Sequence, residues 1–265
     1  AHMYVVPYLF DPTMREIIPS MAHLEVVQTQ TAGVEHIAQH VPDGVVLCNA
    51  RGVHDTSTAE LAVTLILASL RGVPGFVRAQ DEGRWAYDFH ESLADRRVLV
   101  LGYGSIGEAL ERRLRPFECE VVRVARSARE GVHPIGELPG LLPTVDVVVV
   151  LLPLTDETRR LVDAGFLAAM RAGALLVNVS RGAVVDTGAL LAELSGGRLH
   201  AALDVTDPEP LPADHPLWHA PGLLISPHVG GASSAFLPRS KRLVREQLER
   251  FAAGEPLRNV MTGSY

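Results

Sequence analysis

Cysteine is scarce in this chain. Two occur among 265 residues, Cys48 and Cys119, far apart and without a partner motif. That argues against a disulfide scaffold or a cysteine-based zinc site, and a reducing cytoplasm fits best. Positive charge is also short: 24 Lys+Arg stand against 31 Asp+Glu, a net charge of -7. With no basic stripe to release phosphate counterions, a general nucleic-acid binder is not expected. Long apolar runs are missing as well. The richest stretches, Val145–Leu154 and Leu61–Leu70, fall short of the roughly 18 residues that span a bilayer, so both read as core elements and no membrane association is expected. No signal peptide, internal repeat or low-complexity tract is visible, and Ala1-His2 ahead of Met3 reads as a tag remnant. No metal site is expected. What the chain does have is apolar residues, 47% of the total, enough for a proper core in one large domain or two small ones.

From Arg96 to His228 short apolar strands alternate with helical patterns. The strands read as Val98–Leu101, Val121–Ala125, Val147–Leu152, Leu175–Val179, Ala201–Val205 and Leu223–Ser226, and the helices as Ile106–Leu114, Asp163–Met170 and Thr187–Leu194. The strands are nearly continuous in hydrophobicity, the pattern of strands covered on both faces. Strand–helix alternation predicts right-handed βαβ units and a parallel sheet. Met3–Asp55 is different: short strands at Val5–Tyr8, Glu25–Gln28 and Val45–Cys48, with a helix around Glu35–Gln39. Ser57–Leu70 reads as a helix apolar almost all round, with Ser57 and Glu60 as a capping box. Gly72–Asp95 reads as a long surface arm. Pro238–Ala253 reads as an amphipathic helix with Leu243, Val244, Leu248 and Phe251 on one face.

Leu101 ends a strand, and Gly102-Tyr103-Gly104-Ser105-Ile106-Gly107 follows and opens a helix. This is G-x-G-x-x-G in the context that gives it meaning. The first glycine makes the turn, the second admits a pyrophosphate to the backbone, and the third lets helix pack on strand. The helix N-terminus then offers free N–H groups and a favourable dipole to phosphates. The next strand ends at Ala125 and runs into Arg126-Ser127-Ala128-Arg129. An NAD-preferring site carries an acid there for the ribose 2′-hydroxyl. Arginine instead matches a 2′-phosphate, so Arg126, Ser127 and Arg129 point to NADP(H) in preference to NAD(H), which stays possible. The alternative reading of Arg126 is a solvated loop charge and an indifferent site.

Three later segments carry polar residues where strands end. Arg181 follows Asn178, Asp204 stands at a strand end, Glu209 lies between Pro208 and Pro210, and His228 stands in Ser226-Pro227-His228. In a doubly wound sheet ligands bind at the carboxyl ends of strands, so these four side chains are expected to converge on one crevice.

At this point the chain resembles the D-isomer-specific 2-hydroxyacid dehydrogenases, and the resemblance covers most of the sequence. Val27–Glu35 resembles the family's carboxylate-binding loop, Asn49–Arg71 its inter-domain helix and Leu152–Thr158 its adenosine-side loop, while Arg181, Glu209 and His228 match its catalytic triad in order and spacing. The resemblance implies reversible hydride transfer between nicotinamide and the carbon beside a carboxylate. His228 would be the acid in reduction and the base in oxidation. Glu209 would fix its ring and favour the imidazolium, and Arg181 would hold the carboxylate and polarise the keto oxygen. Backbone N–H groups at Ala32, Gly33 and Val34 would share the carboxylate. Asp204 would hold the nicotinamide carboxamide, and Ser105, Ile106, Pro153 and Thr158 the phosphate and adenosine side.

The implied architecture is α/β: a doubly wound parallel Rossmann sheet with a smaller, shortened flavodoxin-like substrate domain. Residues 3–56 begin the substrate domain, 57–230 form the dinucleotide-binding domain, and 231–265 return to the substrate domain, with a cleft between. The family implies a homodimer, and the apolar helix Ser57–Leu70 agrees with it. The substrate expected is a small 2-keto or 2-hydroxy acid of the glyoxylate or hydroxypyruvate type. Two rivals share the scaffold: a dinucleotide-sensing corepressor-like binding protein, and a formate- or phosphite-type dehydrogenase. The chain is short for the family at its N-terminus, where Tyr4–Leu9 resembles an interior strand; either truncation or a minimal substrate domain would account for that.

Overall fold

Runs such as Val98–Leu101 and Val147–Val150, in which every residue is fully buried, form strands because β-branched and leucine side chains pack well on both faces of a pleated sheet. A computed structural model describes residues 1–8 and 13–261 of the chain. Its elements are β1 (Met3–Val5), α1 (Met14–Ser20), β2 (Val26–Gln28), α2 (Glu35–Ala38), β3 (Val46–Cys48), α3 (Asp55–Leu70), α4 (Val73–Asp81), β4 (Arg97–Leu101), α5 (Ser105–Leu114), β5 (Glu120–Ala125), β6 (His133–Pro134), α6 (Leu138–Leu141), β7 (Val147–Val150), α7 (Ala164–Ala169), β8 (Leu175–Asn178), α8 (Thr187–Ser195), β9 (His200–Leu203), β10 (Leu223–Ile225) and α9 (Phe236–Ala253). The chain divides into two compact units, Thr58–Gly230 and the pair of segments Ala1–Ser57 and Gly231–Tyr265.

The Thr58–Gly230 unit holds a seven-stranded sheet in the order β10-β9-β8-β7-β4-β5-β6, with every pair parallel. Val98 sits in register with Val121 on one side and Val147 on the other. Alternate residues feed two cores. Leu99, Leu101, Val148, Val150 and Leu176 face one; Val98, Val100, Val147, Val149 and Val177 face the other, beneath α3 and α5. Each such side chain contributes about 1.5–3 kcal/mol on burial. The chain enters at β4, builds outward through β5 and β6, then returns to β7, so the topological switch falls between β4 and β7. That is where an open parallel sheet forms its crevice.

The strands stop earlier at their carboxyl ends than the hydrophobic pattern implies. β7, β8, β9 and β10 end at Val150, Asn178, Leu203 and Ile225, because the chain turns away there into the loops that carry the polar residues. The capping box at Ser57 does not form. The helix begins at Asp55, and the Ser57 hydroxyl donates to the His54 carbonyl at 3.1 Å. The arm is not wholly irregular either: α4 forms with Pro74 in its first turn, where the missing N–H costs nothing. Residues 84–92 have no regular structure, and Trp85 is 94% and Phe89 87% exposed.

In the other unit β1, β2 and β3 form a parallel sheet in that order. The strand expected at Val5–Tyr8 is displaced toward the N-terminus. Val6 still donates to Gln28 at 2.9 Å, but Pro7 has no N–H to continue the ladder, and Leu9 lies outside the described residues, as do residues 262–265. On α9 the buried stripe is Ser240, Leu243 and Gln247, not the expected apolar face, and Leu248 is 47% exposed. The reason is polar: Ser240 donates to Gln30 Oε1 at 2.7 Å and Gln247 Nε2 to Gln28 Oε1 at 2.7 Å. Among the described residues no single helix is long and apolar enough to cross a membrane.

Candidate active site

The glycine turn follows β4 directly. Gly102 has φ +100°, and a Cβ there would lie 2.8 Å from the Leu151 carbonyl, so neither the backbone conformation nor the space admits another residue. A Cβ on Gly104 would meet nothing within 4 Å; the backbone there is open to an approaching group. Gly104 is the N-cap of α5 and supplies no side-chain cap, which leaves the first-turn N–H groups of Ser105, Ile106 and Gly107 without an intrahelical partner. Gly107 is buried and packs close to Val100, where a Cβ would come within 3.3 Å. An open glycine turn feeding a helix N-terminus at the switch point fits a dinucleotide pyrophosphate.

At the end of β5, Arg126, Ser127 and Arg129 are all exposed. Arg129 is fixed by a two-way backbone pairing with Val132, at 3.2 and 2.8 Å, and its Nη2 donates to the Tyr103 carbonyl at 2.5 Å. The charge of Arg126 reaches Glu157. Glu157 belongs to the loop after β7, which orders itself: the Thr158 hydroxyl donates to the Pro153 carbonyl at 2.7 Å and accepts from the Thr155 N–H at 2.8 Å.

Arg181, Asp204, Glu209 and His228 come together beyond β8, β9 and β10. Nδ1 of His228 pairs with Glu209 Oε1. This hydrogen bond raises the imidazole pKa above its ordinary value, against the opposing effect of burial. Burial works to raise the Glu209 carboxyl, but the bond from His228 and its charge outweigh it and hold the group below the usual range. The positive charge of Arg181 bears on both residues, favouring the carboxylate and opposing the imidazolium. His228 has φ +53°, a left-handed conformation that costs a histidine roughly 1–3 kcal/mol. Asp204 holds the loop in that shape. Its main-chain carbonyl accepts from His228 N at 2.7 Å, and its buried carboxylate accepts from Ser226 Oγ at 2.6 Å, Val229 N at 2.9 Å and Gly230 N at 2.8 Å. Three of its roughly four lone-pair sites are therefore engaged in the loop that presents His228.

Two residues that sequence reasoning passes over shape this region. Asn178, fully buried at the end of β8, accepts from the Ser180 N–H at 3.0 Å and its hydroxyl at 2.8 Å, and donates to the Arg181 carbonyl at 2.9 Å. A polar residue ending an apolar strand is the one signal that marks it. A Cβ on Gly182 would fall 1.9 Å from the Thr206 carbonyl oxygen, so the Arg181 loop and the segment leading to Glu209 touch only because residue 182 is glycine.

Ala32, Gly33 and Val34 belong to the N-terminal unit. Asn49 Nδ2 donates to the Ala32 carbonyl at 3.0 Å and Thr31 Oγ1 to the Gly33 carbonyl at 2.7 Å, while Val34 is the N-cap of α2. Asn49 and Thr31 thus order the loop that carries residues 32–34.

Fold and site define a class first: a dinucleotide-binding α/β domain that presents a carboxylate-paired histidine beside an arginine. Residues 63–230 match the family described as D-isomer specific 2-hydroxyacid dehydrogenase, NAD binding domain. The chain is 32% identical over 255 residues to the human glyoxylate reductase/hydroxypyruvate reductase, with 89% of this chain and 76% of that protein covered. It superposes on a D-isomer specific 2-hydroxyacid dehydrogenase from Xanthobacter autotrophicus Py2, solved with NADPH and MES, with TM-score 0.85 and 34% identity over 99% of this chain and 84% of that one. A glyoxylate/hydroxypyruvate reductase from Sinorhizobium meliloti, described as NADPH-dependent and solved with NADP and sulfate, matches with TM-score 0.85 and 29% identity over 98% and 84%. The chain belongs to the D-isomer specific 2-hydroxyacid dehydrogenase family and is an oxidoreductase that uses a nicotinamide dinucleotide.

Proposed function

We propose that this enzyme reduces a small 2-keto acid of the glyoxylate or hydroxypyruvate type, with NADPH preferred over NADH. The dinucleotide, when bound, supplies the hydride. Arg181, a permanent planar cation, holds the substrate carboxylate and polarises the 2-keto oxygen. Glu209, ionised, can only accept, so it accepts a hydrogen bond from the N–H at His228 Nδ1 and leaves Nε2 to face substrate. His228 Nε2 then delivers a proton to the oxygen as it becomes an alkoxide, and retrieves it in the reverse direction. The backbone of Ala32, Gly33 and Val34 is assigned to the carboxylate by resemblance, as Asp204 is to the carboxamide; the loop-holding bonds of Asp204 support a positioning role for it as well.

The observation that carries this reading is the His228–Glu209 pair with Arg181 in electrostatic range. Its test is His228→Ala assayed with a panel of 2-keto acids and both cofactors, following absorbance at 340 nm. Turnover should fall about 10²–10⁴-fold while NADPH binding by calorimetry stays near wild type. Equal turnover would sink the assignment, and tight NADPH binding by the wild type without turnover on any 2-keto acid would favour a dinucleotide-sensing role. Support for NADPH comes from Arg126, Ser127 and Arg129 in place of an acid after β5. We further infer a homodimer working in the cytoplasm. The exposed aromatics Trp85, Tyr87 and Phe89 on residues 84–92 supply an apolar surface of the kind that subunits cover.

A further inference from the structure

Beneath the glycine turn lies a charged cluster that the chemistry above does not use. Glu111 of α5 is only 3% exposed. Its carboxylate accepts from Arg123 Nη2 at 2.5 Å and Nε at 2.8 Å, from Arg115 Nη2 at 3.0 Å, and from the Tyr103 hydroxyl. Tyr103 is the residue between the first two glycines of the turn. Its hydroxyl is tied to Glu111, its N–H donates to the Val124 carbonyl at 2.9 Å, and a Cβ built on Gly107 would come within 3.2 Å of its ring edge. The residue is therefore held at its hydroxyl and its main chain, with one ring edge against Gly107. Over the ring lie two guanidinium groups: the carbons of Arg123 and Arg129 are each 5.6 Å from the ring centroid, within the range of a cation–π contact. Arg129 also donates to the Tyr103 carbonyl.

Arg123 is neutralised by Glu111, whereas the Arg129 guanidinium lies against the Tyr103 ring and donates to the Tyr103 carbonyl. Neither cancels its charge. A long exposed arginine ordinarily loses much rotamer freedom when it grips an anion; here that ordering is made in advance. We propose that Tyr103 is a specificity-determining positioning residue, whose clamped ring holds Arg129 where the cofactor's 2′-phosphate arrives, so that discrimination between NADPH and NADH depends on the glycine turn as well as on the β5 loop. This rests on the NADPH reading given above. The ring, rather than the backbone carbonyl, is the testable part, because the carbonyl survives any substitution.

The test is calorimetric titration of the full chain with 2′,5′-ADP and with 5′-AMP, which differ only in the 2′-phosphate and involve no turnover. Wild type should bind 2′,5′-ADP more tightly. Tyr103→Leu should shrink that ratio about fivefold, and Arg129→Ala about tenfold. Tyr103→Phe, which keeps the ring and loses the hydroxyl, should hold the ratio within about twofold of wild type. In the Arg129→Ala background Tyr103→Leu should change nothing more. An unchanged ratio in a folded Tyr103→Leu protein overturns the positioning role and leaves the NADPH reading intact. Should Tyr103→Leu fail to fold, Arg129→Ala decides: an unchanged ratio there overturns the proposal. Equal affinity of wild type for the two nucleotides overturns the NADPH reading and the proposal with it.

Discussion

His228 and Glu209 form a pair in which each group shifts the other's protonation. The folded imidazole pKa is raised, chiefly by the hydrogen bond to Glu209. Its contribution to stability is therefore complete below the unfolded value of about 6.5 and disappears as pH rises through the folded value. For Glu209, held low, the contribution is present above about 4.3 and lost as pH falls through its folded pKa. In the proposed reduction His228 supplies the proton, so the rate should fall as pH rises through the raised imidazole pKa. Glu209→Gln removes the cause of that elevation. We expect its alkaline limb in a kcat–pH profile to move to lower pH, with turnover reduced about tenfold or more; a limb that stays in place would refute the pairing. Glu111 gives a second case. The bonds from Arg123, ahead of the opposing effect of burial, hold it at about 2, so its stabilisation is lost between about pH 4.3 and 2. Glu111→Gln should cost about 3 kcal/mol at neutral pH, because Arg123 loses its partner, and urea titrations at pH 7, 4.5 and 3 should show a shallower acid dependence than wild type.

At the scale of elements, strands were the most legible part of the sequence. Val98–Leu101 and Val147–Val150 are buried on both faces, and that burial leaves a continuous apolar run that no other element explains as well. The glycine turn was legible for the same kind of reason, since its neighbours in sequence are its neighbours in space. Loops between distant segments were not. Gly182 reads as an ordinary glycine until Thr206 is seen against it, and α9 reads as amphipathic until Ser240 and Gln247 are seen bonding to Gln30 and Gln28, 210 and 219 residues away. Asp204 was legible as polar and important, but its bonds to Ser226, Val229 and Gly230 depend on a loop 22–26 residues later. Gly182→Ala tests the loop contact. It should destabilise the protein by about 3 kcal/mol and lower kcat/KM about 10²-fold by displacing Arg181 or Glu209, as read by thermal unfolding and steady-state rates. Wild-type behaviour in both would mean that the loops part without consequence.

On the scale of the whole molecule, the arm makes the clearest prediction. Trp85, Tyr87 and Phe89 project from a stretch without regular structure. If subunits cover them, the protein sediments at twice the 28.6 kDa of one chain, and replacing all three with serine shifts it toward the monomer while leaving 2′,5′-ADP affinity unchanged. A wild type that sediments as a monomer at micromolar concentration would set the dimer aside.

The smaller unit also has a history built into it. Its sheet is encoded at the front of the chain, but its closing helix is encoded at the back. β3 waits for Val260, which bridges to Cys48, and Gln28 waits for Gln247. A ribosome adding about 5–20 residues per second needs on the order of ten to thirty seconds to make the intervening Thr58–Gly230 segment. Through that interval the nascent front segment carries two glutamines and a strand edge whose partners do not yet exist. The later-made helix thus finishes the earlier-made sheet, and the smaller unit closes only after the Thr58–Gly230 segment between its two parts has been synthesised.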